Sequence, residues 1–186
     1  MRIISGIFKG KKIALPVDKN TRPLRDLVKE SIFNLINHSK QFDLNIFNSE
    51  ILDLFSGSGS FGLECISRGA KKVIFIENYK PALEILKKNI ITLKTENKSD
   101  IIEKDCFKIF EQNIIFSKKF DLIFMDPPYR EENINFLIDQ IKQSGILKKN
   151  GVLIIHRHKK DTLKITKKLN ILIDRNYGIS KIIIGN

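Results

Sequence analysis

Cysteine, histidine and long apolar runs are scarce in this chain of 186 residues, and each scarcity excludes something. The two cysteines, Cys65 and Cys106, are isolated from each other and from His38, His156 and His158, so no cluster with metal-ligand spacing is present and no metal is expected. Two scattered cysteines read as small core residues in a reducing cytoplasm. The longest apolar runs are far too short to span a bilayer. Met1-Arg2-Ile3-Ile4-Ser5-Gly6 lacks the apolar core and small-residue cleavage site of a signal peptide. Neither an internal repeat nor a low-complexity block is visible.

Acidic residues are scarce at the two ends. The formal charge is +12; residues 1–40 carry +6, residues 141–186 carry +9 and the centre carries −3. A near-neutral body between basic flanks suggests steering to a polyanion such as nucleic acid. Arginine is scarce too, at 7 against 26 lysines. Arginines kept in so lysine-biased a chain are candidates for positions that need a planar fork, and Arg22, Arg25 and Arg130 are singled out on that ground. Lys9, Lys11 and Lys12 supply further positive charge, with a solvated face as the alternative.

Globular composition and length fit one domain. Residues 1–25 read as a basic amino-terminal extension and 26–186 as the catalytic domain. Leu27 to Asn37 has helical apolar spacing, with Asp26 as its cap. Strands are expected at Ile51–Phe55, Lys72–Ile76, Asp100–Glu103, Phe120–Met125 and Gly151–His156. Helices are expected from near Phe61, from about Pro81, and over Phe107–Asn113, Glu132–Gln143 and Asp161–Lys168. Leu169–Asp174 and Ile179–Ile184 flank Asn176-Tyr177-Gly178, a turn signal that suggests a hairpin. The alternation predicts an α/β fold: a mainly parallel sheet with helices on both faces and an antiparallel hairpin at the carboxyl end.

The first of these strands runs into Ser56-Gly57-Ser58-Gly59-Ser60-Phe61-Gly62, a Gly-x-Gly-x-x-Gly turn through which backbone can approach a ligand. Glu77 ends the next strand, at the distance of a carboxylate that accepts from ribose hydroxyls. These features suit NAD, S-adenosylmethionine, or a turn with no ligand. Two details favour S-adenosylmethionine. Asp53 can meet its amino-acid portion directly or through water, whereas a pyrophosphate prefers a helix start free of nearby acid. Asp105 can accept from an adenine amino group, or else cap the helix that follows.

Asp126-Pro127-Pro128-Tyr129 closes the fourth strand. Two prolines end the ladder, and the turn presents a carboxylate, stiff carbonyls and an aromatic face at the edge where such sheets bind ligands. Asp126 and the Pro127 carbonyl can accept both hydrogens of an exocyclic amino group while Tyr129 stacks on the base. The alternatives are a plain turn and a packing role for Tyr129. His156-Arg157-His158 reads as polar punctuation after a strand.

With these motifs in place, the chain resembles the bacterial small-subunit ribosomal RNA guanine-N2 methyltransferases. The resemblance rests on Arg2 to Gly6 with Lys9-Gly10-Lys11-Lys12; on Thr21-Arg22-Pro23-Leu24-Arg25-Asp26 with Lys29-Glu30-Ser31; and on Asp53 to Glu64 and the Asp-Pro-Pro-Tyr loop. Leu24-Arg25, Lys29 and Tyr129 depart from the commoner family residues but keep charge or aromaticity. The resemblance implies a Rossmann-like seven-stranded methyltransferase sheet, S-adenosylmethionine as donor, and 16S ribosomal RNA in the assembled small subunit as substrate. Nothing in the chain demands more than a monomer. An amino-methyltransferase of adenine or cytosine, or a non-catalytic RNA-binding assembly factor, is the alternative.

Overall fold

Short apolar runs become strands and the amphipathic segments between them become helices in the computed structural model, which describes residues 1–17, 24–111, 116 and 118–186. In chain order the elements are α1 (Asp26–His38), β1 (Glu50–Leu54), α2 (Ser60–Ser67), β2 (Lys72–Ile76), α3 (Lys80–Leu93), β3 (Ser99–Ile102), α4 (Cys106–Glu111), β4 (Phe120–Met125), α5 (Ile134–Ser144), β5 (Leu147–His158), β6 (Ile171–Tyr177) and β7 (Ser180–Gly185). Among the described residues the strands form a single seven-stranded sheet of order β3-β2-β1-β4-β5-β7-β6. Strands β1 to β5 pair in parallel, and β7 runs antiparallel to both β5 and β6. The expected mainly parallel sheet with a closing hairpin is therefore what forms.

Side-chain alternation along the central strands sorts the core into two layers. Ile51, Val73, Phe75, Leu122 and Phe124 pack under α1, α2 and α3. Leu52, Leu54, Ile123, Met125 and Ile155 pack under α4 and α5 on the other face. A sheet covered on both faces needs apolar residues at successive positions, which is why these strands read as unbroken apolar runs. Phe61 of α2 links helix to sheet: its ring stacks on Phe124 at 3.8 Å and on Phe33 of α1 at 5.3 Å. No helix among the described residues is long and apolar enough to cross a membrane.

The chain order reverses at β1 and β4: β2 and β3 lie to one side, and β5 to the other. That switch point opens a crevice beyond the carboxyl ends of β1 and β4, the usual ligand site of such sheets. Register sets Asp53 beside Phe124 and Leu54 beside Met125, so the glycine loop and Asp126 emerge side by side.

The first residues fold back on themselves, with a bridge between Arg2 and Lys12, and bury Ile3 and Ile13. Glu64 of α2 accepts the Ile4 and Ser5 amides at 2.7 and 2.9 Å, and Asn89 of α3 bonds both backbone groups of Ala14. Lys29 is wholly buried and donates to the Arg2 carbonyl at 2.9 Å.

Some sequence expectations are corrected. Asp26 is the first residue of α1 rather than its cap; Arg25 occupies the cap position and makes no side-chain capping bond. Residues 161–168 form no helix. Asp161 bonds the Leu163 amide there, and Asn135 of α5 takes the Thr166 amide and the Lys164 carbonyl. These side-chain bonds offer the backbone partners that a helix would have supplied, and Ile165 and Thr166 are β-branched. Strand β5 begins at Leu147, earlier than expected, because its pairing with β4 shifts between Phe120 and Leu122 and absorbs the Lys-Lys-Asn segment.

Candidate active site

The wall of the crevice is built from a strained turn. Phe55 leaves β1 with φ 58°, a conformation costly for an aromatic residue. Its ring is thereby set edge-on to Phe107 at 6.0 Å. Gly57 and Gly59 follow with φ 56° and 79°. A Cβ on Gly57 would meet nothing within 4 Å, so its backbone faces open space. Gly62 serves packing instead: a Cβ there would lie 2.3 Å from the Phe75 ring. Ser56 is buried and its hydroxyl donates to the Asp53 carbonyl at 2.6 Å.

Carboxylates hold this turn. Glu77, at the end of β2, accepts the Gly57 amide through Oε2 at 2.7 Å. Its Oε1 accepts the Asn78 and Tyr79 amides at 2.9 and 2.8 Å. Asp53 is 1% exposed and accepts the Gly62 amide at 3.0 Å, one of the first-turn donors that α2 cannot satisfy internally. Burial pushes the Asp53 carboxyl well above the usual range; the Gly62 amide opposes that rise, and the negative charges of Asp126 and Glu77 add to it. Asp105 accepts the Phe107 amide at 2.9 Å, so it caps α4 in this structure. Glu77, Asn78, Asp105, Phe107, Ile76 and Pro128 line a cleft of about 200 Å³. Its mix of acids and flat apolar walls suits a nucleoside: ring faces against Ile76 and Phe107, polar edges against the carboxylates.

Asp126-Pro127-Pro128-Tyr129 forms the opposite side of the switch point. Asp126 stays partly exposed, and its Oδ1 lies 2.7 Å from Nδ1 of His156 on β5. The other nitrogen, Nε2, lies 2.8 Å from the Ser180 hydroxyl on β7. Arg157 grips the loop from the same strand, donating to the carbonyls of Pro128, Tyr129 and Glu131 at 3.2, 3.3 and 2.9 Å. Arg157 is 3% exposed and is paired with Asp161. Burial alone would raise the Asp161 carboxyl, but the Leu163 amide and the Arg157 guanidinium outweigh it and hold it below the usual value. The Tyr129 ring stands edge-on to His158 at 5.2 Å.

His156 and Arg157 are thus not punctuation. Both are buried and bonded to the loop after β4, which corrects the sequence reading. The signal was present in the two β-strand partners, but it joins residues about thirty apart in the chain.

The remaining sequence candidates scatter. Arg25 and Arg130 are exposed, the first at the start of α1 and the second immediately after Tyr129. Arg22 lies outside the described residues. Lys9, Lys11 and Lys12 belong to the amino-terminal turn, which docks through the Ile7 and Phe8 amides on Ser67, at the end of α2 remote from the glycine loop. Lys11 leans over the Phe8 ring at 5.0 Å. Both cysteines are buried, and burial pushes their thiols up.

A sheet in which β7 is inserted against β5, with a glycine turn and an Asp-Pro-Pro-Tyr loop at one switch point, defines a Rossmann-like methyltransferase. The family described as Conserved hypothetical protein 95 matches residues 1–186, and the chain belongs to it. Ribosomal RNA small subunit methyltransferase D of Haemophilus influenzae is 33% identical over 180 residues, covering 96% of this chain and 90% of that protein. The Escherichia coli protein of the same name is 34% identical over 143 residues, covering 75% and 67% of the two chains. A solved Haemophilus influenzae structure named as a methylase superposes with a TM-score of 0.77 at 31% identity, over 99% of this chain and 96% of that one.

Proposed function

We propose that this protein transfers a methyl group from S-adenosylmethionine to the exocyclic N2 of a guanine in 16S ribosomal RNA, acting on the assembled small subunit. The observation that carries the reading is that the Asp126-Pro127-Pro128-Tyr129 turn meets the acid-lined cleft: Pro128 lines it, and Asp126 lies close enough to Asp53 to raise its carboxyl. The protein's similarity to small-subunit methyltransferases supports ribosomal RNA as the substrate.

S-adenosylmethionine supplies an electrophilic methyl group on a sulfonium. Glu77 and the backbone it orders at Gly57 and Asn78 hold the ribose side of the cleft. Asp105 would accept from the adenine amino group, and Asp53, Ser56 and Gly59 would shape the wall for the amino-acid portion. The amino lone pair of guanine is delocalised into its ring. Asp126 and the Pro127 carbonyl accept the two amino hydrogens and turn that lone pair toward the methyl carbon. Asp126 also stabilises the positive charge that develops on nitrogen, and takes the proton that leaves. Tyr129 stacks on the base once it has left its helix. Most of the rate gain is positional. Arg25 and Arg130, with Arg22 and Lys9, Lys11 and Lys12, contact RNA phosphates.

Asp126→Ala tests the central role. Turnover is expected to fall below detection while S-adenosylmethionine binding, measured by calorimetry, stays near wild type. Wild-type turnover in this variant would remove Asp126 from the mechanism.

A further inference from the structure

We propose that His156, braced by Ser180, is a positioning residue that fixes the rotation of the Asp126 carboxylate and so presents Oδ2, which accepts no bond among the described residues, to the substrate amino group. The inference rests on the methyl-transfer reading above and deepens it.

The geometry is specific. An ionised carboxylate can only accept, so the Nδ1 nitrogen at 2.7 Å from Asp126 carries a hydrogen. Nε2 then faces the Ser180 hydroxyl at 2.8 Å. A hydroxyl donates to a neutral ring and accepts from a charged one, so the imidazole keeps both bonds in either state. His156 is 5% exposed and Ser180 3% exposed, so the ring and its brace are shielded from bulk water. The carboxylate is thereby held by one oxygen from the side of β5, and a side chain that could otherwise spin is set in one orientation.

Arg157 completes the arrangement from the next position on the strand. It takes the carbonyls of Pro128, Tyr129 and Glu131, and among the described residues the Pro127 carbonyl accepts no bond. Adjacent residues of one strand point to opposite faces, so His156 sets the carboxylate and Arg157 sets the backbone of the same loop. Among the described residues, Asp126 Oδ2 and the Pro127 carbonyl accept no bond and stand ready for an amino group. A misplacement of about 1 Å in such a site lowers turnover by on the order of 100-fold.

Four variants, read by kinetics and by NMR, test this. In His156→Phe, which keeps a ring but loses both nitrogens, kcat on small subunits is expected to fall on the order of 100-fold with KM and S-adenosylmethionine binding unchanged. His156→Asn, whose amide can donate in place of Nδ1, is expected to recover most of that loss. Ser180→Ala is expected to fall between them. Wild-type kcat in His156→Phe, or a fall that follows only the melting temperature and is not relieved by asparagine, would overturn the proposal. Nitrogen-15 NMR of the unliganded protein gives a readout that needs no activity: the His156 Nδ1 is expected to be protonated in the wild type and to lose that preference in Asp126→Ala. An unprotonated Nδ1 in the wild type would overturn the brace. Absence of methyl transfer by the wild type would instead sink the guanine reading, and the NMR result would still decide for or against the brace.

Discussion

Lys29 Nζ and Glu64 Oε2 lie 3.5 Å apart, and neither side chain has any exposed surface. Burial lowers the Lys29 ammonium below its usual value, against the pull of Glu64 and Asp26. Glu64 also receives the Ile4 and Ser5 amides and the Arg68 guanidinium, so one carboxylate ties the amino-terminal turn to α1 and α2. Glu64→Ala leaves a buried ammonium without its carboxylate partner and two amides without their acceptor. A loss of about 3–5 kcal/mol in urea unfolding is expected, with faster hydrogen exchange at Ile4 and Ser5. Glu64→Gln, which keeps an acceptor, should lose less.

Glu77 lines the cleft and orders the Gly57, Asn78 and Tyr79 backbone through its carboxylate. Glu77→Ala is expected to weaken S-adenosylmethionine binding by on the order of 10–100-fold, the scale of a lost charged hydrogen bond. Calorimetric titration measures it directly, and an unchanged affinity would remove Glu77 from the cofactor site.

Asp53 gives a pH signature. Burial raises its carboxyl above the reference value of 3.8, so the folded state holds the proton more tightly than the unfolded chain. The stability it contributes is fully present below the unfolded pKa and is lost as pH rises through the folded pKa. Asp53→Asn keeps an acceptor for Gly62 and carries no charge to bury. Its melting temperature should match wild type near pH 4 and exceed it at pH 8, by about 3 °C if the difference reaches about 1 kcal/mol. Scanning calorimetry across that range checks the sign; a gap that shrinks as pH rises would contradict it.

Arg130 is exposed one residue beyond Tyr129, where an RNA strand must pass if its base is to enter the loop. Arg130→Ala should weaken binding to small subunits and lower the slope of log K against log salt by about one. Arg25→Ala should behave alike. An unchanged slope in either would take that residue off the phosphate list.

Much of this could be read in the chain, and the exceptions share a cause. Lys72–Ile76 and Phe120–Met125 stand as expected because strand signals are local: an apolar run, then a turn or two prolines. Leu27 and Lys29 exchange roles against the pattern. Leu27 is 72% exposed and Lys29 fully buried, because the Arg2 carbonyl and Glu64, both distant in sequence, supply partners for the ammonium. Arg25 and Arg130, singled out for a planar fork, are exposed, whereas Arg157, not singled out, spends its fork on three carbonyls inside the protein. Asp126 is legible as a candidate acceptor at a strand end; its hold by His156 is not, since that contact exists only once β4 and β5 pair.

Methyl transfer to small subunits from a strain lacking this activity, followed by mapping of the modified base, tests the central claim most directly. One guanine carrying a single N2-methyl group, absent with Asp126→Ala, is the expected result. Methyl groups on adenine or cytosine, or none on RNA despite bound S-adenosylmethionine, would contradict it.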